Sequence, residues 1–139
     1  MGSLSVYERS AGAVHSIGWH IVWCPKYHKL VLVGPVKGRL VELLEAKAGE
    51  RAWTIKALEV MPDHVQVFVR TPPWASASYV ANQFKGATSR RLCQEFPHLR
   101  RIPTLWSKAY FVATVGRVSE ATIRRYINEQ TTRPVKGQP

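Results

Sequence analysis

Apolar and polar residues alternate most sharply along Val65, Val67 and Val69, which interleave with His64, Gln66, Phe68 and Arg70. A strand's period of two sends these sets to opposite faces, one greasy and one polar. Pro62-Asp63 just upstream is turn chemistry, with one fixed φ and a short carboxylate for local backbone donors. Residues 53–61 are β-like and are predicted to pair with the His64 strand as an antiparallel hairpin. Earlier, Ile17, Trp19, Ile21 and Trp23 alternate with Ser16, Gly18 and His20, predicting a strand that buries its aromatic side and ends at Cys24-Pro25. Residues 30–33 read as a short extension or second strand stopped by Gly34-Pro35, and residues 110–115 as a last strand ended by Gly116.

Between these runs the period changes to that of a helix. Val36, Leu40, Leu43, Leu44 and Ala48 predict a surface helix capped by Gly49. A longer helix is predicted over about 75–96, with Ala77, Val80, Ala81, Phe84, Ala87 and Thr88 on one stripe and Lys85, Ser89 and Arg90 off it. Arg91 and Glu95 continue that stripe, so the last turns are expected to leave the core and pair with each other before Pro97 stops the helix. A final helix starts at Ser119, a good N-cap, and runs to about Thr131. Its Ile123, Tyr126, Ile127 and Gln130 share a stripe, while Arg124, Arg125 and Asn128 fall on the other side. The order strand, helix, strand, strand, helix, strand, helix predicts an α+β, ferredoxin-like fold: a four-stranded antiparallel sheet, two helices on one face, and a C-terminal helix left over. Residues 1–13 read as a loosely ordered lead-in, 14–132 as a single domain and 133–139 as a flexible tail.

Charge narrows the choice of partner. Twenty Lys and Arg against nine acids give +11 over 139 residues, more than solubility asks for, so a polyanion is expected. Nucleic acid fits better than a membrane, because the longest apolar runs are far too short to span or anchor. Cys24 and Cys93 suit two reduced, packed thiols in a cytoplasmic protein, and the absence of a C-x-x-C pair argues against structural zinc. The first dozen residues lack a secretory pattern. Neither a membrane nor a nucleotide cofactor is expected.

The polar face carries the candidate chemistry. His64 and Gln66, at i and i+2, project in parallel and are close enough to share one divalent cation. The plainer alternative is a histidine that ends a turn and a glutamine that faces water. Should the final helix bury Ile123 and Ile127 across this face, Gln130 supplies a third ligand and Tyr126 lies one helical turn away. One nitrogen and two amide oxygens favour Mg²⁺ or Mn²⁺ over a closed zinc site. A cation there would hold a phosphodiester in line with the Tyr126 phenol, whose attack leaves an ester that keeps the energy of the broken bond. The plainer alternative for Tyr126 is a helix tyrosine that covers the core edge with its hydroxyl wet.

Four segments carry a likeness: His20-Ile21-Val22-Trp23-Cys24-Pro25-Lys26-Tyr27; Val60-Met61-Pro62-Asp63-His64-Val65-Gln66; Leu105-Trp106-Ser107-Lys108-Ala109-Tyr110-Phe111-Val112-Ala113-Thr114-Val115-Gly116; and Arg124-Arg125-Tyr126-Ile127-Asn128-Glu129-Gln130. In order and spacing, from His15 to Gln130, the chain resembles the single-tyrosine transposases of the HUH superfamily, from insertion sequences of the 200/605 type. The resemblance implies a ferredoxin-like domain that dimerises, binds single-stranded DNA, often hairpins at element ends, and cuts it through a 5′-phosphotyrosine intermediate. It implies Tyr126 as nucleophile and His64 and Gln130 as metal ligands, with the tyrosine helix able to complete a partner's site. The chain departs from the family twice. The paired histidines read His64-Val65-Gln66, which weakens metal binding, and His28 stands where Arg commonly follows Lys-Tyr. Lys26, Tyr27, Lys85 and Arg90 are the candidate DNA contacts, with Trp106 as a base-stacking surface or a core residue. Rival readings are a hairpin-binding relative that does not cut, and a rolling-circle replication or mobilisation nuclease.

Overall fold

The computed structural model describes residues 16–101 and 104–114. These form four strands and two helices: β1 (Ile17–Pro25), α1 (Gly34–Arg51), β2 (Thr54–Met61), β3 (His64–Thr71), α2 (Ala77–Glu95) and β4 (Trp106–Thr114). The sheet runs β2-β3-β1-β4, and every neighbouring pair is antiparallel, which is the ferredoxin-like arrangement that the element order predicts. The lead-in, the final helix and the tail anticipated from the sequence lie outside the described residues.

One face of the sheet is the core. Ile21 and Trp23 of β1, Val65, Val67 and Val69 of β3 and Val60 of β2 are buried against Val36, Leu40 and Leu44 of α1 and Val80, Ala81, Phe84 and Leu92 of α2. Fully burying each of the Val, Leu, Ile and Phe side chains among these contributes roughly 1.5–3 kcal/mol. Trp23 stacks on Phe84 (6.1 Å, 15°) and meets Trp106 edge-on (5.9 Å, 87°). Trp106 is a core residue, 5% exposed, and its Nε1–H donates to Thr88 Oγ1 at 3.0 Å. Its rings are enclosed, so the base-stacking alternative is corrected: strand β4 begins four residues before the expected start and carries Trp106 inward.

Three local expectations also give way. Residues 30–33 are not a strand; Leu32 is buried and makes one backbone bond, its N–H donating to Pro62 O at 3.0 Å. That bond ties the segment to the β2–β3 turn rather than to a strand, and both edges of β1, the strand it follows, are taken by β3 and β4. Helix α1 runs past Gly49 to Arg51, and Ala52 caps it in the left-handed region at φ 61°. The end of α2 stays on the core through Leu92, although Arg91 does pair with Glu95 at 3.1 Å. Glu95 also takes a two-pronged contact from Arg39 of α1, 2.8 Å to Nε and 3.1 Å to Nη2, so the two helices are clamped at the surface. The Arg39 hydrogen bonds, followed by those from Arg91, hold the Glu95 carboxyl below its ordinary range. Among the described residues, no helix is long and apolar enough to cross a membrane.

Candidate metal and nucleic-acid site

The second face of the sheet is polar around the β2–β3 turn. Pro62 and Asp63 form the two-residue connection between the paired residues Met61 and His64. Because Val65 and Val67 point into the core, His64 and Gln66 must point away from it. Strand β1 adds His20 to the same face: Val22 pairs with Gln66 and His20 with Phe68 in the register. A hollow of about 420 Å³ opens here, lined by His20, Glu59, Gln66 and Phe68 among others.

Five polar side chains run in a row. His28 Nδ1 lies 3.6 Å from Asp63 Oδ2, and Asp63 Oδ1 is 2.9 Å from His64 Nδ1. His64 Nε2 is 3.4 Å from Gln66 Nε2, and Gln66 Oε1 is 3.3 Å from His20 Nε2. A carboxylate only accepts, so in neutral His64 the proton sits on Nδ1 and the Nε2 lone pair faces Gln66. A carboxylate behind a histidine is the usual device for aiming the other ring nitrogen at a metal. Burial pushes the His20 imidazole below its ordinary value, with the Gln66 hydrogen bond opposing. Burial, reinforced by the Asp63 charge, pushes the neighbouring Cys24 thiol up to about 12, which leaves it an inert packed group.

The donor set fits a hard divalent ion in part. His64 Nε2 and the Gln66 amide could hold an ion from two sides, but among the described residues no three of His, Cys, Asp or Glu gather as a metal site. Tyr126 and Gln130 lie outside the described residues. Of the anticipated DNA contacts, Lys26 and Tyr27 sit in a short turn at the end of β1, with Lys26 Nζ 5.8 Å from the Tyr27 ring centre. Tyr27 and His28 are successive non-glycine residues at φ 62° and 54°, conformations that cost about 1–3 kcal/mol each. That turn leaves the Tyr27 ring exposed and brings His28 to Asp63. Lys85 is half-buried: its Nζ donates to Lys108 O at 3.3 Å and lies 5.5 Å from the Tyr110 ring centre, and burial lowers its pKa. Arg90 is exposed on α2, away from this row.

Sequence reasoning overlooked His20 and Asp63 as members of the site. The alternation along β1 does place His20 opposite the core stripe, but only the strand register sets it beside Gln66.

Residues 13–130 match the sequence profile of a family described as "Transposase IS200 like". The chain belongs to that family. It is 32% identical over 126 residues to the ISDra2 transposase TnpA of Deinococcus radiodurans, an alignment covering 88% of this chain and 90% of that one. It is 28% identical over 123 residues to the transposase for insertion sequence element IS200 of Salmonella typhimurium, covering 86% and 80%. A crystal structure of a candidate transposase from Deinococcus radiodurans R1 superposes with a TM-score of 0.80 at 34% identity, over 87% of this chain and 95% of that one. A REP-associated tyrosine transposase bound to a REP hairpin shares the fold alone, with a TM-score of 0.54 at 15% identity over 86% and 70% of the two chains. This chain is therefore an IS200-like transposase by family, built on a sheet whose polar face gathers His20, His64 and Gln66.

Proposed function

We propose that this transposase cleaves and rejoins single-stranded DNA through a covalent 5′-phosphotyrosine intermediate on Tyr126, assisted by a divalent metal and working as a homodimer. The observation that carries the reading is the His64–Gln66 pair, backed by Asp63 on an open polar face, in a chain of this family. His64 Nε2, the Gln66 amide oxygen and Gln130 are the residues that would hold Mg²⁺ or Mn²⁺, which when bound supplies Lewis-acid polarisation of the scissile phosphate.

The protein's own residues do the rest. Asp63 keeps the His64 proton on Nδ1, so Nε2 remains a ligand. The Tyr126 oxygen attacks phosphorus and the bond from phosphorus to the 3′ oxygen breaks; the phenol proton is given up and the leaving oxygen gains one, becoming a free 3′-hydroxyl. A free phenol has a pKa of about 10, so Tyr126 needs its phenolate stabilised within the site. The phosphotyrosine ester retains the energy of the phosphodiester, and attack by a 3′-hydroxyl on it rejoins a strand without ATP. Lys26, Tyr27 and Arg90 are the candidate strand contacts, with Lys85 available where its ammonium trades the Lys108 carbonyl for a phosphate. One solved protein of the same fold is bound to a REP hairpin, which makes hairpin-forming single strands the first substrates to try.

The decisive experiment uses a 3′-labelled single-stranded oligonucleotide that carries an end of the chain's own element, incubated with Mg²⁺ or Mn²⁺. A labelled adduct that survives denaturant is expected with the unmodified chain and is absent with Tyr126→Phe. Retention of the adduct in Tyr126→Phe assigns the nucleophile elsewhere. Gln66 in place of a second histidine favours one other reading, a hairpin-binding relative that does not cut; tight binding without any adduct would establish it.

A further inference from the structure

On the polar face His20 touches the proposed ligand Gln66, yet the proposed chemistry leaves it unused. His20 is 5% exposed, and its ring is wedged edge-on against Phe68, with 4.3 Å between centres. Its Nε2 meets Gln66 Oε1 at 3.3 Å, whereas its Nδ1 is buried with no hydrogen-bond partner. The protons along the row follow from Asp63. With the His64 proton held on Nδ1, the lone pair at His64 Nε2 receives the Gln66 NH₂ group at 3.4 Å. The amide oxygen is thereby turned to His20, which donates from Nε2.

In this arrangement an N–H bond covers the lone pair that a cation needs. The pair can share an ion only when the amide turns over and its oxygen takes the place of its nitrogen. Two ligand atoms bound side by side to an ion at about 2.1 Å lie about 3.0 Å apart. The 3.4 Å spacing between His64 Nε2 and that amide position therefore suits a shared ion once oxygen stands there. The overturned amide then presents its NH₂ to His20, whose Nε2 must become the acceptor. The His20 proton moves to Nδ1, where it meets no partner.

We propose that His20 is a positioning residue that latches Gln66 in a closed orientation, so that opening the metal site is coupled to a change of tautomer at His20. The inference rests on the metal reading of His64 and Gln66 above, and it explains how the glutamine is kept from serving as a permanent ligand.

The test is the set of long-range proton–nitrogen spectra of the histidine rings in the full chain, metal-free and saturated with Mg²⁺. His20 is expected as the Nε2–H tautomer without metal and as Nδ1–H with it, while the His64 Nε2 signal shifts. A shift at His64 with an unchanged His20 tautomer overturns the latch and leaves the metal reading standing. No shift at His64 removes the metal reading and the latch with it. Independently, Mn²⁺ titrated into His20→Leu and followed by electron paramagnetic resonance is expected to bind at least about fivefold more tightly than to the unmodified chain, because without His20 the opening of the amide no longer strands a buried N–H at Nδ1. Equal or weaker binding by a folded variant refutes the latch; should that variant not fold, the spectra of the unmodified chain decide alone.

Discussion

Asp63 does more than occupy a turn. Its two oxygens face His28 and His64, and the shorter contact, 2.9 Å, decides which nitrogen of His64 is free. Asparagine at this position offers both a donor and an acceptor, so it no longer holds the proton on Nδ1. Asp63→Asn is expected to weaken Mn²⁺ binding about tenfold to a hundredfold, measured by titration, and unchanged affinity would show that His64 needs no such partner. Thr88 has a comparable role inside the core: its hydroxyl donates to Phe84 O at 2.8 Å and accepts from Trp106 Nε1 at 3.0 Å. Thr88→Val keeps the volume but strands a buried N–H, so a loss of about 1–3 kcal/mol is expected in urea denaturation. At this scale the sequence was readable for His64 and Gln66, whose faces follow from the alternation along β3. For Trp106 it left a stacking and a core reading side by side, because nothing near it in the chain announces that Thr88 waits to accept its N–H.

Helix α1 ends by the geometry of its last carbonyls. Ala52 N–H donates to Gly49 O at 3.1 Å and Trp53 N–H to Ala48 O at 2.8 Å, the paired bonds of a Schellman cap whose left-handed position is normally glycine. Gly49 looks like the stop in the sequence, yet ending there would take Trp53, 5% exposed, away from the core beside Ala48. Tertiary burial therefore places the cap at Ala52 and accepts a Cβ at φ 61°. Ala52→Gly is expected to raise stability by about 0.5–1 kcal/mol in chemical denaturation, and a loss of stability would mean that the Ala52 side chain makes contacts that outweigh its backbone strain. Gly34, at φ 57° before Pro35, shows the opposite case, with glycine already where the chain turns left-handed into the helix.

The net charge of +11 acts over the molecule as a whole. Contacts to about six phosphates of a single strand give a slope near −4 in log affinity against log salt, so raising salt from about 50 to about 200 mM should cost about two orders of magnitude in binding. Fluorescence anisotropy with a labelled hairpin oligonucleotide measures this, and a flat dependence would count against a phosphate-led interface. For the described residues, the sequence by itself determined the main strands, the helices α1 and α2, their order and the face on which His64 and Gln66 stand, because periods of two and 3.6 are properties of the local chain. The same locality is why it misjudged the α1 cap and residues 30–33, where distant partners decide. Only the tertiary structure set the register of β1 against β3 and so brought His20, 46 positions away in the chain, to 3.3 Å from Gln66. Register between remote strands depends on the packing of the whole core, which no single segment encodes.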